Sequence, residues 1–432
     1  MRASTTMRAD VTATSTSSRA RGACFFDRQR ARGRATSTSR ASVRAQDGAG
    51  DAAVPPRAPG IQQRGSAERL TNVQGARAFR LGVFADAQYG DKADEERADE
   101  KGRVKYFRRG ASRLAECYEA FAEHREELSG IINLGDLFDG YNEDDKSTWP
   151  VLRTPMSAEL VEKNRRDLAV MSEIQKRAPA KVHHCIGNHD CSVPRVELLE
   201  ALGVRDGLSY YSTRLPRRWR LIILDTTDVN PRYMPSGRDS EEYRFGMEFV
   251  SSKGSHEIAP WGGGIGPAQM QWLRDELESA KANGERVIVA SHNALHVRAA
   301  REKMSAWNAD EVSALFEEYC ATVKICLAGH DHPGDYYMSK NGVHYVTLEA
   351  MLEANTTSYA YLTVYDHVAE LQGVGIATSR RMRISPHGVF TGIATFGADT
   401  IADIAGTGSP TRIESTELSL VEWINKYGRD KN

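Results

Sequence analysis

Short apolar runs bounded by polar residues recur along the chain from Phe79 onward and predict buried strands. Six runs have this form, and they cover residues 80–85, 130–134, 181–186, 220–224, 286–290 and 323–328. Most of them alternate with stretches whose apolar residues recur at the helical period. Alternation of this kind is typical of an α/β protein.

Two stretches have the spacing of amphipathic helices. Residues 104–127 and 268–281 repeat their apolar positions three or four residues apart, so each stretch has one apolar face. Pro267 precedes the second stretch and Gly284 follows it, as is typical of a helix start and a helix end. We interpret both apolar faces as core contacts.

Three further apolar runs lie close together near residue 350 and predict an antiparallel meander. They cover residues 342–348, 359–365 and 370–376. Together with the earlier strands and helices, they indicate an α/β fold with a mixed sheet or two stacked sheets flanked by helices.

The composition separates the N-terminal segment from the rest of the chain. No apolar stretch in the 432 residues approaches the ~18 residues of a membrane span, so we expect no membrane segment. Residues 1–45 have ten arginines and two acids, a charge of +8, whereas the remainder has a charge of −9. A mildly acidic folded part disfavours specific binding of DNA or RNA.

The first 45 residues have the composition of an organellar transit peptide, because they are rich in Arg, Ser and Thr and poor in acids. Residues 42–45 resemble a plastid processing site, and the early arginines suit a mitochondrion equally well. An ordinary disordered tail on a cytoplasmic protein is the alternative. We therefore expect a disordered targeting peptide and linker over 1–76, a catalytic domain over 77–384, and a C-terminal extension of unknown role over 385–432. The six cysteines form no CxxC pair, which favours reduced thiols over a disulfide scaffold.

Side chains that can bind metals follow five of the six predicted strands. The segments are Asp86-Ala87-Gln88, Gly135-Asp136-Leu137-Phe138-Asp139, Gly187-Asn188-His189-Asp190, Ser291-His292 and Gly329-His330-Asp331-His332. Any one of them alone is explained by a turn, a helix cap or a core histidine. Five of them at strand ends, where open α/β sheets gather their active sites, predict a metal centre.

The order of these segments resembles the signature of the calcineurin-like metallophosphoesterase superfamily, D-x-H, GDxxD, GNH[D/E], H and GHxH. Four segments match, and the first departs because Gln88 stands in place of His. Asp139 is followed by Gly-Tyr-Asn and is not itself a tyrosine, which disfavours the Ser/Thr phosphatase and purple acid phosphatase branches. The D-x-Q, GDxxDGYN, HHxxGNH, GG before QxxWL, and late Trp-Asn motifs are similar to those of the manganese-dependent ADP-ribose/CDP-alcohol diphosphatases.

This resemblance covers residues 79–376 and implies a metallophosphoesterase-type two-sheet sandwich of mixed strands flanked by helices. It implies two divalent ions, with Mn²⁺ preferred and Mg²⁺ as the alternative. The implied ligands of the first ion are Asp86, Gln88, Asp136 and His332. The implied ligands of the second ion are Asp136, Asn188, His292 and His330. Asp136 would bridge the two ions, and such a pair holds a hydroxide that attacks the phosphate in line.

Five further residues receive roles from the same resemblance. His189 would face the leaving oxygen and stabilise or protonate it, while Asp139 would orient its ring or cap a turn. Tyr106, Arg108 and Asn142 are expected to contact the substrate, although exposed helix surface also explains the first two. The long connection over residues 226–266 is our candidate for a substrate cap.

The implied reaction is hydrolysis of the diphosphate bond in a nucleoside diphosphate conjugate such as ADP-ribose, CDP-choline or CDP-glycerol. We expect a small-molecule nucleotide substrate and a monomeric enzyme. A cyclic nucleotide phosphodiesterase is an alternative that the same metal site could serve. A catalytically silent scaffold is disfavoured, because silent relatives are expected to lose the metal ligands and the proton donor His189.

Overall fold

The computed structural model describes residues 75–96, 103–140, 144–145, 152–153, 157–204, 208–233, 241–253 and 258–384. The chain divides into two units, Met1–Gln62 and Gln63–Asn432, and every described residue belongs to the second unit. The predicted targeting peptide, the C-terminal extension and Asn142 lie outside the described residues. Within those ranges, no helix is both long and apolar enough to cross a membrane.

The first of two six-stranded sheets contains three parallel strands and three antiparallel strands. In spatial order its strands are β16 (Arg380–Arg383), β15 (Val368–Val374), β14 (Tyr359–Tyr365), β1 (Arg77–Phe84), β4 (Leu128–Asn133) and β7 (Val182–His184). The parallel strands β1, β4 and β7 end at the same edge of the sheet.

The second sheet has four parallel strands between two antiparallel edge strands. Its spatial order is β12 (Asp335–Met338), β13 (His344–Thr347), β11 (Val323–Ala328), β10 (Arg286–Ala290), β9 (Trp219–Ile223) and β8 (Tyr211–Leu215). Two short ribbons complete the strands, β2 (Glu95–Glu96) with β3 (Val104–Lys105) and β5 (Asp144–Asp145) with β6 (Leu152–Arg153).

Six α-helices are described, and they are α1 (Gly110–Glu123), α2 (Ala158–Gln175), α3 (Arg195–Ala201), α4 (Glu241–Lys253), α5 (Pro267–Ala282) and α6 (Ala309–Glu318). One apolar cluster joins α1, α2 and α3 to the first sheet, and another joins α5 and α6 to the second sheet. A third cluster fills the space between the two sheets. The layers are therefore helix, sheet, sheet and helix.

Strand β10 explains why the predicted strands are continuous apolar runs. Its Ile288 and Ala290 belong to the core between the sheets, while Val287 and Val289 belong to the core beneath α5 and α6. Successive side chains of a strand point to opposite faces, and here both faces are covered. The predicted two-sheet α/β fold is confirmed.

The helix predicted over residues 104–127 is shorter than expected. Residues 104–105 form strand β3, Phe107–Arg109 form a 3₁₀ turn, and α1 begins only at Gly110. Tertiary contacts explain the late start. The amide of Tyr106 donates to Leu352 O at 3.0 Å, and a Cβ on Gly110 would lie 2.4 Å from Ala87 O.

The predicted three-strand meander is wrong in its first strand. Residues 344–347 pair with β11 and β12 in the second sheet, whereas β14 pairs with β15 in the first sheet. The connection between β13 and β14 crosses between the sheets, because Met351 N donates to Ala85 O and Leu352 N donates to Asp86 O at the end of β1. Closeness in sequence therefore did not determine which sheet β13 would join.

Candidate metal centre

The structure brings all seven predicted metal ligands together at the strand ends. Asp86 and Gln88 follow β1, Asp136 follows β4, Asn188 follows β7, His292 follows β10, and His330 and His332 follow β11. Each of these residues is at most 9% exposed. The two sheets therefore contribute ligands to one buried cluster.

The four residues predicted to bind the second ion are in mutual contact around His292. Its Nε2 atom lies 3.2 Å from Asp136 Oδ2, 3.1 Å from Asn188 Oδ1 and 3.1 Å from His330 Nδ1. One ligand atom each from Asp136, His292 and His330 lies within 4.8 Å of the others. A single divalent ion fits such a set of oxygen and imidazole donors.

The residues predicted to bind the first ion are linked through Asp136 and Asp86. Gln88 Nε2 donates to Asp136 Oδ2 at 2.9 Å, and His332 Nε2 lies 3.7 Å from Asp86 Oδ1. The Gln88 amide has its nitrogen towards Asp136, so ligation through its oxygen requires a half-turn of the amide. Asp136 contacts residues of both predicted sites, as a bridging ligand would.

Hydrogen bonds determine which ring nitrogens face the cluster. His292 Nδ1 lies 2.8 Å from Leu134 O and His332 Nδ1 lies 2.6 Å from Glu353 Oε1. Both partners only accept, so Nδ1 carries a hydrogen and Nε2 is the nitrogen that would give its lone pair to a metal. His330 is reversed, with Nδ1 towards His292 and a buried Nε2 that has no hydrogen-bond partner among the described residues.

The electrostatics of the cluster fit a bound cation. Burial raises the pKa of Asp86 well above its usual value. Burial also acts to raise the pKa of Asp136, but the facing rings of His292, His189 and His330 lower it overall. Burial alone would lower the pKa of His292, yet the charge of Asp136 raises it to about 9. A buried carboxylate here holds a proton on its neighbouring imidazole, and divalent ions would supply that positive charge instead.

Four of the seven ligands adopt left-handed backbone conformations that non-glycine residues rarely populate. Their φ values are 51° at Asp86, 38° at Gln88, 51° at Asp136 and 67° at His330. Each costs on the order of 1 to 2 kcal/mol. Backbone bonds compensate, since Asp86 N donates to Gly135 O at 3.2 Å and Gln88 N donates to Asp136 O at 2.9 Å. Such strain is concentrated at functional sites.

Two motif glycines are required because ligands from other strands lie directly against them. A Cβ on Gly187 would lie 2.0 Å from Asp136 Oδ1, and a Cβ on Gly329 would lie 2.5 Å from Asp86 Oδ2. Both distances are shorter than any side chain permits, so the predicted ligands Asp136 and Asp86 occupy space that a larger residue would need.

Three buried carboxylates lie next to the predicted ligands in the chain or in space, and no role was assigned to them from the sequence. Asp190 Oδ2 accepts from the amides of Asp136 and Gly187, both at 2.9 Å. Asp331 accepts from the amide and the Nε of Arg301, both at 2.7 Å. Glu353 accepts from His332. Asp190 and Asp331 lie inside the recognised motifs, so their positions in those motifs could have indicated a role. Glu353 lies in no motif.

His189 lies beside the cluster, and its side chain is more exposed than those of the seven predicted ligands and of Asp139. Its amide donates to Asp136 Oδ1 at 2.8 Å, and its side chain is 30% exposed. The ring Nδ1 lies 2.5 Å from the backbone O of Asp139 and 3.4 Å from its carboxylate. Asp139 also pairs with Lys92. The backbone of Asp139 therefore orients the ring more directly than its side chain does.

The predicted substrate residues Tyr106 and Arg108 lie at the start of the α1 region. Tyr106 OH donates to Asn355 Oδ1 at 3.0 Å, and the guanidinium carbons of Arg109 and Arg113 lie 4.2 and 4.9 Å from the centre of its ring. The 61% exposed side chain of Arg108 pairs with Asp91 at 2.9 Å. The two guanidinium groups at the Tyr106 ring thus belong to Arg109 and Arg113, neither of which was predicted. The predicted Arg108 pairs with Asp91, and Asn142 is not described.

The predicted cap is described over residues 226–233, 241–253 and 258–266. Its first residue contacts Asn293, which directly follows His292. Thr226 Oγ1 donates to the side-chain oxygen of Asn293 at 2.8 Å. A Cβ on Gly263 would lie 1.9 Å from Thr226 O, and Trp307 N donates to Gly263 O at 2.8 Å. Asn308 bonds Ile265 N and O at 3.0 and 2.9 Å. The GG and Trp-Asn motifs hold this segment in place.

An α/β sandwich with buried Asp, Asn and His ligands at its strand ends defines the class of metal-dependent phosphoesterases. The calcineurin-like phosphoesterase family matches residues 79–334, more than half of the chain, and the chain belongs to that family. The predicted superfamily and the prediction of a hydrolase are confirmed.

Several relatives are named manganese-dependent ADP-ribose/CDP-alcohol diphosphatase. The protein from Arabidopsis thaliana is 32% identical over 68% of this chain and 94% of its own length. Those from Oryza sativa subsp. japonica and Homo sapiens are 31% and 26% identical, over 71% and 73% of this chain and 95% of each relative. A dimetal phosphatase structure from Danio rerio shares the fold, with a TM-score of 0.62 and 23% identity over 72% of this chain and 100% of that chain.

Proposed function

We propose that this chain hydrolyses the diphosphate bond of nucleoside diphosphate conjugates such as ADP-ribose, CDP-choline and CDP-glycerol. The observation that supports it best is the buried cluster of seven ligand residues around Asp136. The substrate class comes from the names of the relatives. Mn²⁺ is the proposed metal, because Asp and amide oxygens outnumber imidazoles at the first site.

The two ions would share Asp136. Asp86, Gln88 and His332 would complete the first site. Asn188, His292 and His330 would complete the second. When bound, two divalent ions neutralise the charge of the diphosphate and supply a hydroxide near neutral pH.

His189 is the proposed proton donor to the leaving phosphate. Its Nδ1–H is held by the backbone oxygen of Asp139, so a protonated ring presents Nε2–H to the substrate. The side chain is partly exposed, as a group that meets a substrate must be. The ion pair between Asp139 and Lys92 holds that carboxylate near the ring.

Tyr106, Arg108 and Asn142 are proposed to bind the nucleotide. Tyr106 precedes the 3₁₀ turn Phe107–Arg109, and Arg108 within that turn has an exposed side chain that pairs with Asp91. A nucleobase stacks on an aromatic ring, and guanidinium groups bind phosphates in a bidentate way. In this proposal Tyr106 supplies the aromatic ring and the exposed Arg108 supplies the guanidinium.

A substrate panel tests the proposal. Purified full-length protein is incubated with ADP-ribose, CDP-choline, CDP-glycerol and a cyclic nucleotide, with Mn²⁺ or Mg²⁺, and the products are separated by chromatography. We expect a nucleoside monophosphate from each diphosphate and faster turnover with Mn²⁺. Asp136→Ala is the inactive control. Hydrolysis of the cyclic nucleotide alone would favour a phosphodiesterase, and no hydrolysis by metal-loaded protein would contradict the proposal.

A further inference from the structure

A carboxylate outside the seven predicted ligands contacts one of them. Glu353 ends the 3₁₀ turn Met351–Glu353, which follows β13, and its side chain is 1% exposed. Its Oε1 lies 2.6 Å from His332 Nδ1. We propose that Glu353 is a positioning residue that acts through His332 and sets the metal affinity of the first site. This inference rests on the metal site of the proposed function.

Glu353 determines which nitrogen of His332 is available. A carboxylate only accepts hydrogen bonds, so Nδ1 carries the hydrogen and Nε2 keeps its lone pair. Nε2 is the atom that lies 3.7 Å from Asp86 Oδ1, on the ligand side of the ring. A carboxylate on the far nitrogen also makes the imidazole a stronger electron donor, and such partners typically change metal affinity by about 10- to 100-fold.

Contacts that do not involve a metal hold the Glu353 carboxylate in place. Its other oxygen, Oε2, pairs with Arg103 at 2.5 Å. The backbone around it is bonded to the ligand residues themselves, because Leu352 N donates to Asp86 O at 2.9 Å and Ala350 N donates to His332 O at 3.1 Å. Glu353, His332 and Asp86 therefore form one connected unit, so the orientation of the ring costs little when a metal arrives.

The charge of Glu353 compensates for a weak feature of the first site. Gln88 offers that site a neutral amide where the wider superfamily signature has an imidazole. His292 at the other site is oriented by the neutral carbonyl of Leu134, whereas His332 is oriented by a full negative charge. The single imidazole of the first site is thus the one with the stronger supporting acceptor.

A metal titration of the full-length protein tests this role without using hydrolysis as the readout. Chelated wild type, Glu353→Gln, His332→Ala and the double variant are titrated with Mn²⁺ by calorimetry. We expect Glu353→Gln to raise the Kd of one site about 10- to 100-fold. The double variant should bind like His332→Ala alone, since two residues that act as a unit are not additive.

Glu349→Gln is the matched control. Glu349 is also a buried carboxylate of this segment, but it accepts from Thr378 N and Oγ1 and from no predicted ligand. We expect it to leave both Mn²⁺ affinities unchanged. Unchanged affinity in a folded Glu353→Gln variant, or an effect fully additive with His332→Ala, would overturn the role of Glu353.

Two further results separate the possible causes of failure. If Glu353→Gln does not fold, Arg103→Gln releases Oε2 while keeping the contact with His332, and a smaller rise in the same Kd is expected. Unchanged affinity in that variant would then count against the proposal. If His332→Ala itself binds Mn²⁺ like wild type, the metal assignment is wrong, and the proposed function fails together with it.

Discussion

Single hydrogen bonds determine the chemistry of the ligand side chains. His292 and His332 present Nε2 because their Nδ1 atoms donate to Leu134 O and Glu353 Oε1. Gln88 presents its amide nitrogen to Asp136 in the protein alone. The metal site is therefore defined at this scale by the orientation of rings and amides, which nearby acceptors control.

The first residue-scale prediction concerns His189→Ala. We expect turnover of the diphosphate substrates to fall by ~10² to 10⁴, the usual contribution of a positioned proton donor. Metal content should stay at the wild-type value, because the contact of residue 189 with Asp136 is made by the backbone amide, which alanine keeps. Steady-state kinetics and elemental analysis measure the two quantities. Asp136→Ala is the contrasting variant that should lose metal, and loss of metal from His189→Ala would refute the assigned role.

The second prediction concerns Gln88→His. An imidazole adds a second nitrogen donor to the first site, so its affinity should rise and its preference should move from Mn²⁺ towards Zn²⁺ or Ni²⁺. Metals are titrated into chelated wild type and variant, with activity as the readout. Gln88→Ala, which removes the ligand without replacing it, should only weaken the site. Identical metal preference in wild type and Gln88→His would exclude ligation by Gln88.

At the scale of secondary structure, the ends of the strands determine where the predicted ligands lie. Parallel strands β1, β4 and β7 bring Asp86, Asp136 and Asn188 to one edge, and β10 and β11 bring the histidines from the facing sheet. The contact between His292 Nδ1 and Leu134 O joins the two sheets at this edge. The predicted metal centre consequently lies where the two sheets pack against each other.

The element-scale prediction uses a glycine at a strand end. Gly329→Ala should lose metal and be destabilised by about 1 to 3 kcal/mol, because its Cβ would overlap Asp86 Oδ2. Gly130→Ala within β4 is the control. The nearest atom to its Cβ would be His183 Cδ2 at 3.3 Å, and His183 is not a predicted ligand. Thermal unfolding and metal content are measured for both variants. Equal metal content in the two would show that the close approach at Gly329 is unimportant.

At the scale of the whole molecule, the family match and the cluster both lie within residues 79–334. Among the described residues, Cys117, Cys185, Cys320 and Cys326 form no disulfide, and the reduced state of the cysteines stays a prediction. Import into a chloroplast or mitochondrion, the three-part domain division and a monomeric state stay predictions.

The whole-molecule prediction concerns the N-terminal segment. A fluorescent fusion of residues 1–75 should enter an organelle, because its sequence is rich in Arg and Ser and poor in acids. Deletion of residues 1–70 should leave activity and melting temperature nearly unchanged, because this segment has no periodic apolar face. Microscopy and thermal unfolding provide the measurements. A diffuse cytosolic signal from the fusion would contradict import, and a large fall in melting temperature would contradict the domain boundary.

The strands and the candidate ligand residues could be predicted from the sequence because both depend on local patterns. A strand buried on both faces must be a continuous apolar run, so residues 286–290 were recognised with the bounds of β10. Ligands such as Asp136 and His330 lie in short motifs directly after strands, where chain order alone carries the information.

The tertiary structure decided what depends on residues distant in sequence. It placed β13 in the second sheet, began α1 at Gly110, and brought Glu353 to His332 across 21 positions of the chain. These outcomes have one physical reason. The sheet that a strand joins, the close packing at a helix start and the choice of a hydrogen-bond acceptor depend on which surfaces meet after folding. A local pattern of apolar and polar residues does not contain that information.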